Sequence, residues 1–185
     1  MTRRGKIDAS VAELGLTEPN ALGALVRRDD PSMEPRQLRV RAFARTDQRE
    51  AEALIRAGLA EHWGSVDESF NPDLRDIARS YASGVTLIAE YEDGLVGTGT
   101  IVPVDEHVAE IKRMSVHADC RRIGVGRAIA DELVAIAERW GKSRVVLETS
   151  ADWDAVVDFY LGCGFVLTHR HDGDFGLDAW FERTI

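Results

Sequence analysis

The spacing of hydrophobic and polar residues changes several times along this chain, and each change predicts a different element of secondary structure. The segment "QLRVRAF", residues 37–43, alternates polar and apolar residues as a half-buried strand does. A helix is expected to follow from about Asp47 to Trp63. Asn71 and Pro72 then supply an N-cap and a first-turn proline for a second helix that runs to about residue 83.

The second half of the chain predicts strands that alternate with two longer helices. "VTLIAEYEDGLVGTGTIVPV" indicates two strands around an Asp-Gly turn, and "HVAEIKRMSV" indicates a third. After a glycine-rich turn, a helix that ends at Gly141 has an apolar face formed by Ile129, Leu133, Ile136, Ala137 and Trp140. "RVVLET" predicts a buried strand, "DWDAVVDFYLGCG" a helix, and "FVLTHRH" with "LDAWFERTI" a closing hairpin.

The resulting order, β-α-α-β-β-β-α-β-α-β-β, predicts one mixed α/β domain over residues 37–185. Residues 1–36 differ, because they contain Pro19, Pro31 and Pro35 and show weak periodicity. We interpret them as a loosely ordered leader with at most a short helix.

Composition narrows the classes of protein to consider. The chain is 44% hydrophobic and 30% charged, as in ordinary globular proteins, and no apolar run approaches the ~18 residues that span a bilayer. Cys120 and Cys163 do not form a disulfide framework, so we expect a cytoplasmic protein without a membrane partner. The net charge of −9 lies within residues 37–185, which argues against nucleic-acid binding and fits a cationic substrate.

A cluster of positive charge stands out against this acidic background: Arg113, Arg121, Arg122 and Arg127. The glycine-rich turn within it fits neither a P-loop, because residue 136 is Ile, nor a dinucleotide fingerprint, because residue 129 is Ile. It does fit R-x-x-G-x-G, with Arg121, Gly124 and Gly126 between a strand and a long helix. Free N–H groups at a helix start favour a pyrophosphate. A plain tight turn with solvated arginines is the alternative.

The glycine-rich turn, "RRIGVG", is one of four segments that together point to a known superfamily. "AEIKRMSV", "RRIGVG", "VVLETS" and "FYLGCGF" occur in this order, and the region 37–185 that contains them resembles the GNAT acyltransferase superfamily. The resemblance implies a mixed, mainly antiparallel central sheet flanked by helices. It implies acetyl-CoA as the donor, a small-molecule or protein amine as the acceptor, no metal, and the homodimers common in that superfamily.

The resemblance also assigns roles to individual residues. Backbone groups of Met114 and Val116 would pair with the pantetheine arm of the cofactor as an added strand does. Glu110 would be the general base, and Tyr160 would face the departing sulfur. The pyrophosphate loop would consist of Arg121, Arg122, Ile123, Gly124, Val125, Gly126 and Arg127.

The chain departs from the superfamily pattern at two positions. Trp153 and Val156 stand where many relatives have asparagine and alanine. Either a polar contact to the cofactor is lost, or Trp153 stacks against the cofactor instead.

The implied reaction is direct attack of the amine in a ternary complex. A lysine-like amine, with a pKa near ~10.4, must first lose a proton. Glu110 suits this task, although it could instead face solvent or pair with Lys112 or Arg113. Tyr160 would donate a proton or a hydrogen bond to the sulfur, although it could simply pack among phenylalanines. We read the two cysteines as free structural thiols.

Other functions stay open at the level of sequence. The chain could be a non-catalytic acyl-CoA-binding sensor of the same fold, or an interaction protein that acts through its leader. An acceptor rim is predicted from "EHWGSVDESFN" with His62, Trp63, Asp67, Glu68 and Phe70, and an ordinary polar loop is the alternative. For His169, His171, Asp172 and Asp174, a hydrated hairpin is favoured over metal ligation.

Overall fold

Strands and helices alternate along the computed structural model, which describes residues 38–92, 94–173 and 176–185. The strands are β1 Arg39–Ala42, β2 Val85–Tyr91, β3 Gly94–Pro103, β4 Val108–Val116, β5 Arg144–Ser150, β6 Val166–Gly173 and β7 Gly176–Thr184. The helices are α1 Gln48–Trp63, α2 Ile77–Ser80, α3 Val125–Arg139 and α4 Asp154–Gly162. This element order confirms the sequence prediction, while the predicted leader lies outside the described residues.

The strands form a single mixed sheet in the order β1-β2-β3-β4-β5-β7-β6. Neighbours are antiparallel except β4 and β5, which are parallel. Pairing between these two strands runs from Val108↔Arg144 to Ile111↔Leu147 and then stops, although β4 continues to Val116 and β5 to Ser150. The two strands therefore separate and leave a gap within the sheet.

One face of the sheet is covered by α3, whose apolar residues are buried as predicted: Ile129, Leu133, Ile136 and Ala137. Burying each large aliphatic side chain contributes about 1.5–3 kcal/mol relative to leaving it exposed. The close approach depends on two glycines of β3. A Cβ at Gly97 would lie 2.7 Å from the Ile129 side chain, and one at Gly99 would lie 2.5 Å from the sulfur of Met114.

The opposite face carries a second core, which joins α1 to the segment before β2. Its buried members are Ala51, Ile55, Leu74, Ile77 and Ile88. None of the helices in the described ranges is both long and apolar enough to cross a bilayer.

The helix predicted over residues 71–83 is wrong in its extent. A 3-10 helix spans Pro72–Asp76, and α2 is a single turn. The side-chain amide of Gln48 donates to the Leu74 carbonyl at 2.7 Å and accepts from the Ile77 N–H at 2.9 Å, so it takes up two backbone groups of this segment. Asp76 then caps the new helix by accepting from the Arg79 N–H.

Candidate active site

The gap between β4 and β5 opens into a cavity of about 520 Å³. Its walls come from α1, residues 73–81, both separated strands and α4. Ile111 and Tyr160 belong to the core under α3, whereas Glu110 and Lys112 alternate onto the other face of the strand. The cavity is therefore lined from both faces of the sheet.

A bulge in β4 shapes one wall of the cavity. Thr98 pairs with Ser115 and Thr100 with Lys112, so β4 contains one more residue than β3 over this stretch. Arg113 adopts a φ of 54°, a conformation that costs a non-glycine residue roughly 1–3 kcal/mol. The bulge turns the side chain of Arg113 toward residues 71–81.

Ion pairing and hydrogen bonds hold Arg113 in that position. Its guanidinium donates to both carboxylate oxygens of Asp73, at 2.8 and 2.7 Å, and to the side-chain oxygen of Asn71 at 2.9 Å. Burial raises the pKa of Tyr81 to about 12, so its hydroxyl stays protonated and donates to Asp73 at 2.5 Å. Arg113 is thus separate from Arg121, Arg122 and Arg127, the arginines with which its place in the sequence grouped it.

The start of α3 presents unsatisfied backbone donors. Gly124 is its N-cap, with a φ of 96° and no side-chain cap. Because Val125, Gly126 and Arg127 form the first turn, their N–H groups have no intrahelical acceptor, and no other acceptor for them occurs within the described residues. A Cβ at Gly124 would meet nothing within 4 Å. This geometry suits a bound anion.

Gly126 has a different role from Gly124. A Cβ at Gly126 would lie 3.2 Å from the ring of Phe159 and 3.6 Å from Val116. Because Gly126 has no side chain, α3 can pack closely against Val116 and Phe159. The residues next to these two in the sequence, Ser115 and Tyr160, line the cavity. The helix start and the cavity are therefore adjacent.

Two of the three arginines predicted for the loop form ion pairs with carboxylates and donate hydrogen bonds to backbone carbonyls. Arg121 forms a pair with Glu61 of α1 at 2.7 Å and donates to the Val116 carbonyl at 3.1 Å. Arg127 pairs with Asp131 at 3.1 Å and donates to the carbonyl of residue 162. Arg122 is exposed and forms no ion pair within the described chain, while Ile123 is half-buried.

Tyr160 lies between the aromatic core and the cavity. It is 5% exposed and packs edge-on against Phe159 and Phe165, yet it also lines the cavity. Its hydroxyl has no hydrogen-bond partner among the residues that the structure describes. Burial raises the pKa of Tyr160, so the hydroxyl is protonated at neutral pH and available to donate.

Two glutamates line the cavity, and sequence reasoning identified only one. Glu110 is present as predicted, but it also forms the alternative contact, an ion pair with Lys112 at 2.6 Å. Glu148 of β5 was missed. Desolvation, together with the neighbouring charge of Asp178, raises the pKa of Glu148. Alternation within "VVLETS" could have placed it on the face opposite Leu147.

Trp153 stacks on a protein side chain. Its ring lies parallel to that of His62, with centroids 4.6 Å apart, and His62 Nε2 lies 3.3 Å from an oxygen of Asp152. This contact joins the end of α1 to the start of α4. Trp153, Val156 and the predicted rim residue Trp63 line the cavity.

The remaining rim and metal candidates lie elsewhere. Asp67 caps the short 3-10 helix Glu68–Phe70, and none of these residues lines the cavity. His169 stacks on Trp180. No group of three or more His, Cys, Asp or Glu side chains among the described residues is arranged to hold a metal ion, and Asp174 lies outside them.

Comparison with known proteins places this architecture among acetyltransferases. The chain is 32% identical to human N-acetyltransferase 8B over 111 residues, which cover 56% of this chain and 49% of that protein. It spans about half the length of the curated relatives it matches.

Solved structures share the fold. A GNAT-family acetyltransferase from Staphylococcus aureus Mu50 superposes with a TM-score of 0.71 at 19% identity, over 80% of this chain and 98% of that one. A GNAT-family acetyltransferase from Elizabethkingia anophelis with acetyl-CoA bound gives 0.55 at 17% identity, over 60% and 83%. The family model described as "Acetyltransferase (GNAT) family" matches residues 47–165. With its gapped sheet, uncapped α3 and this match, the chain belongs to the GNAT acetyltransferase family.

Proposed function

We propose that this protein is an N-acetyltransferase that binds acetyl-CoA and transfers the acetyl group to a primary amine within a ternary complex. The observation that carries the proposal is the unsatisfied first turn of α3 next to the gap between β4 and β5. The names of the relatives and the acetyl-CoA bound to the Elizabethkingia anophelis enzyme support the same donor.

The residues at the start of α3, beside the cavity, fit the donor chemically. Backbone N–H groups from Ile123 to Arg127 would hold the pyrophosphate, and Arg122 would add a charge-assisted contact. The open side of Gly124 leaves room for phosphate oxygens. The edge of β4 at Met114 and Val116, beyond the last β5 pair, would accept the pantetheine arm as an added strand.

Side chains of the protein would accept a proton from the amine and donate a hydrogen bond to the leaving sulfur. When bound, acetyl-CoA supplies the thioester carbonyl that the amine attacks. A carboxylate of the cavity accepts a proton from the ammonium form of the acceptor, and Glu110 is the candidate that the resemblance assigns. Because the pKa of Tyr160 is raised by burial, its hydroxyl keeps its proton and donates a hydrogen bond to the departing sulfur.

Charge favours an amine that arrives as a cation. Of the acidic groups that line the cavity, Asp73 is paired with Arg113 and Glu110 with Lys112. Glu148 adds acidity without a basic partner within 4 Å in the described chain. We therefore propose a polyamine, an aminoglycoside-like compound or a protein amine as the acceptor. The possible homodimer and the cytoplasmic location stay predictions from the sequence.

The donor site is tested by calorimetric titration of acetyl-CoA into the wild type and Gly124→Glu. The substitution places a carboxylate beside the N–H groups proposed for the pyrophosphate, so binding should be lost. Gly141→Glu is the matched control, because Gly141 also has a positive φ of 72° and open surroundings, at the far end of α3. No binding by folded wild type would overturn the proposal, as would equal loss in both variants.

A non-catalytic acyl-CoA sensor is the second candidate, and the Glu110–Lys112 ion pair favours it because it occupies the predicted base. An enzyme releases free coenzyme A thiol when acetyl-CoA is mixed with a suitable amine. A sensor binds acetyl-CoA and releases none with any of the three amine classes named above.

A further inference from the structure

Carboxylates from three neighbouring strands lie on one face of the sheet beside the cavity. In the β4–β5 register Glu110 pairs with Val146, so Glu148 lies on the same face two residues further along. In the β5–β7 register Glu148 pairs with Trp180 and Ser150 with Asp178. Asp178 is therefore the diagonal neighbour of Glu148, within reach of its side chain.

The two cavity glutamates have different electrostatic surroundings. Glu110 is 19% exposed in its side chain and lies 2.6 Å from the Lys112 ammonium. Glu148 faces the opposite situation, because both Asp178 and Glu110 add negative charge around it and only Lys112 opposes them.

These surroundings raise the pKa of Glu148 through desolvation first and the Asp178 carboxylate second. A general base works best when its pKa lies near the operating pH, because it is then both deprotonated and a good proton acceptor. The Lys112 ammonium occupies an oxygen of Glu110, whereas no basic group lies within 4 Å of Glu148 in the described chain. The geometry thus distinguishes the two residues.

We propose that Glu148 is the catalytic base that accepts the proton of the acceptor amine, that Asp178 is the positioning residue beside it, and that Glu110 serves as the counter-ion of Lys112. This inference rests on the proposed acetyl transfer and deepens it. It assigns the proton step to a residue of β5, across the gap from the strand on which the sequence resemblance placed it.

The step balances as follows. The ammonium group gives one proton to the Glu148 carboxylate, and the freed nitrogen lone pair forms the C–N bond to the thioester carbonyl carbon. The C–S bond breaks with its electron pair going to sulfur, and the second nitrogen proton passes to that sulfur. The products are the amide and the coenzyme A thiol, and Glu148 returns its proton to water.

Kinetics of three variants test the assignment, with spermidine, kanamycin and a lysine-containing peptide as amines. Glu148→Gln should lower kcat at neutral pH by about 10²- to 10⁴-fold, while calorimetry shows unchanged acetyl-CoA affinity. Glu110→Gln tests the competing assignment and should lower kcat far less. Asp178→Asn should move the acidic limb of the kcat/KM profile to lower pH, because removing the negative charge lowers the pKa of Glu148.

A readout without turnover accompanies the kinetics. In the protein without acetyl-CoA, ¹³C NMR titration of glutamate side-chain carboxyls should give Glu148 a midpoint above the usual pKa of a glutamate, and Asp178→Asn should lower it. Thermal melts confirm that each variant folds.

The outcomes separate this inference from the proposed function. If the wild type acetylates an amine and Glu148→Gln keeps most of its rate while Glu110→Gln loses it, Glu110 is the base and the inference is overturned. An unchanged Glu148 midpoint in Asp178→Asn overturns the role of Asp178. If the wild type acetylates none of the three amines, the proposed function itself fails.

Discussion

The proposed donor end, at the start of α3 beside the cavity, and the proposed acceptor end, at the cavity wall, are built from different chemical groups. The donor end offers backbone N–H groups and a glycine with open surroundings. The acceptor end consists of side chains, among which the Arg113–Asp73 pair forms several hydrogen bonds. A backbone site can bind the same group in many sequences, whereas a side-chain site changes with each substitution. The contrast explains why the donor is easier to infer than the acceptor.

Breaking the acceptor wall should have the largest effect on stability. Asp73→Asn removes the carboxylate from the Arg113 guanidinium, and the two side chains are only 21% and 22% exposed. We expect a loss of about 2–3 kcal/mol in the free energy of unfolding, measured by urea denaturation, and a raised KM for the amine.

Glu68→Gln is the control for this variant. It removes a pair with Arg75 of 3.8 Å in the same segment, in which both side chains are about two-thirds exposed. It should change stability by less than about 1 kcal/mol. A weakened acetyl-CoA affinity in Asp73→Asn would show that the two ends are not separate.

Tyr160→Phe tests the group between the two ends. Loss of the hydrogen bond to sulfur should lower kcat about 10- to 100-fold, with the dissociation constant of acetyl-CoA unchanged. Thermal stability should be retained, because the hydroxyl has no partner among the described residues and the ring keeps its aromatic contacts. An unchanged kcat would remove Tyr160 from the mechanism.

Gly126→Ala tests whether the absence of a side chain at Gly126 allows the start of α3 to pack against Phe159. The new Cβ would lie 3.2 Å from Phe159, so we expect a loss of about 1–2 kcal/mol by thermal or chemical denaturation. Phe159→Leu in the same chain should recover part of that loss by making room. If the double variant is no more stable than Gly126→Ala, the Phe159 contact is not the cause.

The smallest effect concerns the ion pair between α1 and the loop. Glu61→Gln frees Arg121, so acetyl-CoA should bind about two- to fivefold more tightly at low salt. Glu50→Gln makes the same charge change on the first turn of α1, away from the loop, and should leave the affinity unchanged. Equal gains in both variants would indicate a general charge effect.

The sequence correctly predicted the secondary-structure elements that depend on the spacing of nearby residues. The apolar stripe of α3 and its glycine start both lie within one short segment, and the structure agrees with them. The helix predicted over residues 71–83 was wrong in its extent, because the side chain that bonds to the backbone of this segment belongs to Gln48, which is distant in sequence. Arg113 was grouped by sequence proximity with the loop arginines, yet a one-residue bulge turned it away.

Glu148 was missed for a related reason. Its surroundings come from Asp178, thirty residues later, and from Glu110 on another strand, so no short window of sequence contains the interaction. "VVLETS" marks a strand of the superfamily, but it does not reveal which charges meet on that strand. The chemistry of the acceptor end depends on such long-range neighbours.

The last turn of α1 connects regions that ligands would occupy separately. Glu61 holds Arg121 of the loop, His62 stacks on Trp153 at the start of α4, and Trp63 lines the cavity. If a bound pyrophosphate drew Arg121 away from Glu61, the end of α1 would lose this contact, and the proposed donor site would then be coupled to the cavity wall. Because such coupling is reciprocal in free energy, an acceptor that fixes this turn changes donor affinity by the same factor. One helical turn would thereby link the affinities of two ligands that bind at separate places.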